Sequence, residues 1–89
     1  MQELEVFLNE QVIIDTKSSY LFIGNLQKIG DFFLTMTDVD VHDQNDFSKT
    51  KEIYVMEAAK YGIKINRKSV NIVKAEMISI SLLSDIVKY

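Results

Sequence analysis

The chain has 89 residues, 47% of them hydrophobic and 26% charged, with a formal net charge of −3 and no cysteine. That length fits one domain, residues 1–89, burying only about 60–68% of the surface its unfolded chain exposes, so self-association would add to its stability. The absence of cysteine excludes disulfides, thiolate zinc sites and a thiol nucleophile. The polar, acidic start and the lack of any apolar run of about 18–20 residues point to a cytoplasmic protein with no membrane partner.

Charge is distributed unevenly. Through Asp46 nine acids face two bases, net −7, and from Phe47 onward four acids face eight bases, net +4. The negative net charge argues against indiscriminate binding to phosphate backbones, and the asymmetry gives a folded domain one acidic and one basic face, or two complementary surfaces for self-association.

Leu4, Phe7 and Leu8 recur at helical spacing and predict a short N-terminal helix that must pack on something to persist, with Asn9 suited to the left-handed position that ends it. Strand one is predicted over Gln11 to Thr16, with Val12 and Ile14 on one face, and Lys17-Ser18-Ser19 reads as a hairpin turn. Strand two, Tyr20 to Lys28, is apolar on both faces and carries Gly24 in its middle. A glycine there weakens a strand unless a bend or a close backbone approach needs it, and small curled sheets use such glycines to turn corners. After the turn Ile29-Gly30-Asp31, strand three runs from Phe32 to His42. Phe32, Leu34 and Met36 alternate with Phe33, Thr35 and Thr37, and Val39 and Val41 then alternate with Asp38, Asp40 and His42.

Lys51 to Tyr61 is rich in helix formers, with Ser48 or Thr50 as N-cap and Gly62 as C-cap, and predicts a helical insertion. Its segment Ile53-Tyr54-Val55-Met56 would also serve as a strand, and periodicity alone does not separate the two. The basic stretch Lys60 to Lys68 leads to strand four, Val70 to Lys74; strand five follows over Met77 to Leu82. Leu83, Ile86 and Val87 return to helical spacing.

Gly24-Asn25-Leu26, Asp31, the apolar run Phe32 to Met36 and Asp38-Val39 together resemble the first motif of the Sm and Sm-like proteins. Val70 to Lys74 followed by Met77 to Ser81 resembles the second. The resemblance implies a mainly β fold: a small, strongly bent five-stranded Sm-like barrel with an N-terminal helix and a helical insertion between strands three and four. It further implies a homo-oligomeric ring closed by edge pairing of strand four with a neighbour's strand five, and binding of single-stranded RNA, or else DNA. The chain departs from the family at two places. The base-contacting asparagine falls at Phe33 or Leu34, and the Arg-Gly pair falls near Val73-Lys74, where lysine lacks a planar guanidinium.

Three clusters are candidate sites. Lys28, Asp31, Phe32 and Phe33 place a cation and two aromatics around one turn, as sequence-tolerant single-strand binders do, although both rings would equally serve as core. Lys60, Lys64, Arg67 and Lys68, with Lys74 further on, supply the basic footprint for a phosphate backbone, or else an ordinary solvated surface. Asp38, Asp40 and His42 offer oxygen and nitrogen ligands, but a calcium loop starting at Asp38 would have Asp43 and Lys49 where glycine and glutamate belong. His42 and Asp43 suggest a general base, yet adjacent strand residues point to opposite faces and no motif places a nucleophile. The expectation is therefore a non-enzymatic ring without cofactor or metal, binding nucleic acid through Lys28, Asp31, Phe32, Phe33, Arg67, Lys68 and Lys74. The alternative is a structural or adaptor ring that binds only protein partners.

Overall fold

A computed structural model describes residues 3–46 and 48–88. Five strands form one antiparallel sheet in the order β4-β3-β2-β1-β5. They are β1 (Gln11–Thr16), β2 (Tyr20–Ile29), β3 (Phe33–Asp43), β4 (Arg67–Val73) and β5 (Met77–Leu82), and an α-helix, α1 (Lys51–Tyr61), lies between β3 and β4. The N-terminal helix is reduced to a 3-10 turn, Glu3–Phe7, which Asn9 ends at φ 65°.

The sheet is covered on both faces, as the two-sided apolar pattern of β2 requires. On one face Val12, Ile14, Leu26, Leu34, Met36, Val39 and Ile72 form a core closed at the N-terminus by Leu4 and Phe7. On the other, Ile13, Leu21 and Ile23 pack against Val55 and Ala58 of α1 and against Leu83. Packing over this second face resolves the ambiguity of Ile53 to Met56 in favour of helix. Thr50 caps it, accepting the Ile53 amide at 3.2 Å, and Gly62 at φ 97° ends it by donating to Ala58.

The bend has a specific origin. Ile23 pairs with Asp40 and Asn25 with Thr37, so Gly24 faces two residues of β3, Asp38 and Val39, where a regular ladder would have one. This is a β-bulge, which bends the strand that carries the extra residue and increases its twist. Asp38 takes it up at φ 52°. A Cβ on residue 24 would lie 3.0 Å from the Thr37 and Asp38 carbonyl oxygens and 3.1 Å from the Val39 Cα, so only glycine leaves room for the bulge. The glycine thus serves a bend in its neighbour rather than in its own strand.

Two expectations are corrected. The sheet is open: β4 and β5 are its two edges and do not pair within the chain, so the curled sheet stops short of a closed barrel. Strand four begins at Arg67 and ends at Val73, not Val70 to Lys74. Asn66 draws the chain onto β3 early: its backbone donates to Val39, its Oδ1 accepts the Val41 amide at 2.9 Å, and its Nδ2 donates to the Val41 carbonyl at 3.1 Å. Lys74 instead opens a 3-10 turn, Lys74–Glu76, that leads directly into β5.

Candidate nucleic-acid interface

The turn from β2 to β3 and the turn from β4 to β5 meet at one end of the sheet. Ile29 pairs with Leu34 and Phe33 with Val73, which aligns the two turns side by side. Lys74 fastens them: its backbone amide donates to the Phe32 carbonyl at 2.7 Å and its Nζ donates to the Gly30 carbonyl at 3.2 Å. The lysine that sequence alone set in strand four is therefore a bridge between the turns, with its charge held over the β2–β3 turn.

Both phenylalanines are outside the core. Phe32 is 76% exposed at the turn and Phe33 is 51% exposed at the start of β3. The core is filled instead by Leu34 and Met36, whose alternation turns Phe33, Thr35 and Thr37 to the opposite face. Pairing across the ladder then gathers Lys28, Phe33, Thr35, Asn71 and Val73 on that face. Exposing an aromatic beside an exposed valine costs hydrophobic free energy that a folded chain recovers only when something else covers them. Asp31 is exposed at the tip of the same turn, and Lys28 makes no ion pair among the described residues.

The sequence did not single out Thr35 and Asn71. Thr35 Oγ1 donates to Asn71 Oδ1 at 2.8 Å across β3 and β4, next to Phe33. The signal was present: polar residues on the outward parity of two strands that pair. It was unreadable without the register, since they lie thirty-six positions apart.

Arg67 and Lys68 lie elsewhere. They open β4, and six or seven residues at about 3.3 Å each put them roughly 20 Å from Lys74. Arg67 pairs with Val39 near the bulge, far from the paired turns. The seven residues expected to act together thus divide into a turn group of Lys28, Asp31, Phe32, Phe33 and Lys74, and a separate pair at the other end of the same strand.

The acidic end of β3 has a structural occupation. Asp38 is exposed at the bulge, while Asp40, 2% exposed, and His42 are buried beneath α1. The Tyr54 hydroxyl donates to Asp40 Oδ2, and Asn66 Nδ2 donates to Oδ1 at 3.2 Å. The His42 and Tyr54 rings stack at 3.7 Å with an interplanar angle of 16°. Burial, and next the bond to Asp40, push the Tyr54 phenol well above its ordinary pKa. These groups satisfy one another and lock α1 onto the sheet; among the described residues no cluster of three or more His, Cys, Asp or Glu could hold a metal ion.

No protein-family model and no curated protein matches the chain. A solved structure does: that of the Pyrococcus abyssii Sm protein in complex with a uridine heptamer, with a TM-score of 0.60 at 15% identity over 92% of this chain and 99% of that one. The fold is Sm-like.

Proposed function

We propose that the protein binds single-stranded RNA as a homo-oligomeric ring, with the paired turns as its ligand surface. One observation carries this reading. On an Sm-like fold, two exposed phenylalanines stand beside a lysine that ties the β2–β3 turn to the β4–β5 turn. The similarity to a protein held in complex with a uridine heptamer supports it.

Phe33 supplies a π-face for a base, with Phe32 beside it at the tip of the turn. Such stacking contributes roughly 1–3 kcal/mol per base and tolerates any base. Lys28 and Lys74 meet phosphates. Thr35 and Asn71 present hydrogen-bonding groups next to the stacking ring, which the side chains of Phe33 and Leu34 cannot supply. The open sheet supports assembly: among the described residues β4 and β5 each leave one edge unpaired, and pairing one copy's β4 with another's β5 would remove both edges. Repeating a small surface around a ring raises avidity without new contacts.

The test is a fluorescence anisotropy titration of labelled single-stranded oligouridylate, with matched DNA and mixed-sequence RNA, at low and moderate salt. Saturable binding that weakens with salt is expected, with Phe33→Ala reducing affinity by about 5- to 150-fold. Absence of binding at low salt would overturn the RNA reading and leave the exposed phenylalanines as a docking surface for protein.

A further inference from the structure

A groove of about 410 Å³ runs between α1 and β5 on the sheet face away from the N-terminal turn. Ile53 and Met56 of α1 and Ile86 and Val87 of the C-terminal segment form its walls, and Ser79 and Ser81 of β5 its floor. The floor is low because β5 turns Ile80 and Leu82 into the core and lines the groove with Ser79 and Ser81. Val87 is left 66% exposed. The groove therefore follows β5, whose outer edge is unpaired among the described residues.

Charge indicates what covers it. The groove wall carries Glu52, and its lysine, Lys51, is neutralised by Asp15. Asp85 ends the 3-10 turn Leu83–Asp85 that follows β5, with Lys88 as the opposing charge beyond it. At the other edge of the sheet, Lys64, Arg67 and Lys68 lie exposed around the start of β4, and Ile65 among them is 56% exposed. One edge thus offers an apolar side chain amid cations, and the other an apolar groove with Glu52 in its wall, the Asp15–Lys51 pair in its lining and Asp85 in the turn after β5.

We propose that the groove receives a second copy of this chain, Ile65 of the neighbouring copy entering between α1 and Val87 while its Arg67 and Lys68 meet Asp85. This rests on the ring reading, which also sets the strand polarity. If the turns carrying Lys74 converge on a shared ligand, the end of one β4 lies beside the start of the next β5, because Lys74–Glu76 joins those two strand ends. The pair is then antiparallel, like every other pair in the sheet, and the start of β4 meets the end of β5. Arg67 and Lys68 become specificity residues of assembly, which accounts for their distance from the phenylalanines. The insertion helix becomes half of a subunit interface.

The lack of cysteine permits a clean test. Ile65→Cys and Val87→Cys chains, each made alone, are mixed, reassembled and oxidised. A disulfide-linked dimer on non-reducing gels, well above the yield from either variant alone, is expected. No excess cross-link, with the native mass by light scattering still oligomeric, would overturn the groove assignment and leave the ring reading intact. A monomeric native mass at all concentrations would overturn both. Charge reversal gives an independent readout: Arg67→Glu with Lys68→Glu should disperse the oligomer, and adding Asp85→Lys should restore it. Full-sized oligomers from the doubly reversed chain would count against the proposal.

Discussion

Gly24→Ala tests the account of the bend most directly. Its Cβ would sit 3.0 Å from two carbonyl oxygens and 3.1 Å from the Val39 Cα, all of them backbone atoms that cannot swing away like a side chain. Relief requires β3 to move outward at the bulge, which strains the pairings on either side, Ile23 with Asp40 and Asn25 with Thr37. Overpacking of this kind costs about 1–3 kcal/mol. The lower unfolded-state entropy of alanine offsets about 0.4–1 kcal/mol of that. A net loss of roughly 1–2 kcal/mol remains, which for a domain of this size lowers Tm by about 4–16 °C. Urea denaturation at fixed protein concentration should show a lower midpoint with an unchanged slope, because the surface exposed on unfolding is the same. Asp38→Gly is the companion variant: it removes the penalty of a left-handed non-glycine residue at φ 52° and should be neutral or stabilising. A Gly24→Ala protein as stable as the parent would refute the claim that the close approach to β3 is why glycine stands there.

Thr50→Ala removes the acceptor for the Ile53 amide and should cost about 1 kcal/mol by denaturant titration, with the far-UV spectrum of the folded state retained. Tyr54→Phe keeps a ring to stack on His42 but leaves buried Asp40 without the phenol donor, so a loss of about 1–3 kcal/mol is expected at neutral pH. It should also alter the alkaline limb. The folded chain keeps the Tyr54 proton above the ordinary value of 10.0, so the parent's stability is full below that pH and falls as pH rises past it, whereas the Tyr54→Phe profile should fall less steeply there. Equal alkaline slopes would remove Tyr54 from the account. Lys74→Ala should weaken RNA binding and flatten the slope of log affinity against log salt by about 0.7 for each phosphate the lysine neutralises, measured by anisotropy at several salt concentrations.

The bulge also explains how much of the molecule could be read from sequence. In β3 the inward parity changes from Leu34 and Met36 to Val39 and Val41, and that switch is written in the order of apolar residues. Periodicity shows that something intervenes near Asp38. What it cannot show is the partner of the extra residue, because the register that sets Gly24 against Asp38 and Val39 is a property of two strands. The helix was legible only in part: its caps, Thr50 and Gly62, act on backbone groups three or four positions away, but Ile53 to Met56 read equally as strand until Val55 and Ala58 packed on the sheet. The start of β4 was not, because it depends on Asn66 reaching Val39 and Val41, across about twenty-five positions of chain. The same limit divides the site. The aromatic turn is local and visible in the order of residues, whereas the bridge from Lys74 to Gly30 and the pair of Thr35 with Asn71 exist only after β3 and β4 align.

One strand therefore serves two surfaces. Before the bulge, the outward residues of β3 are Phe33, which is exposed, and Thr35 and Thr37, which are half-buried. After it, the outward residues are Asp40 and His42, and α1 covers both through Tyr54. Were the same residues of β3 to run in regular alternation with no bulge at Asp38, one half would be inverted relative to the other, either exposing Val39 and Val41 or burying Phe33 and Thr35. The bend at Gly24 and Asp38 is thus what lets a sheet this small keep an exposed aromatic face at one end while anchoring, at the other, the helix that walls the groove beside β5.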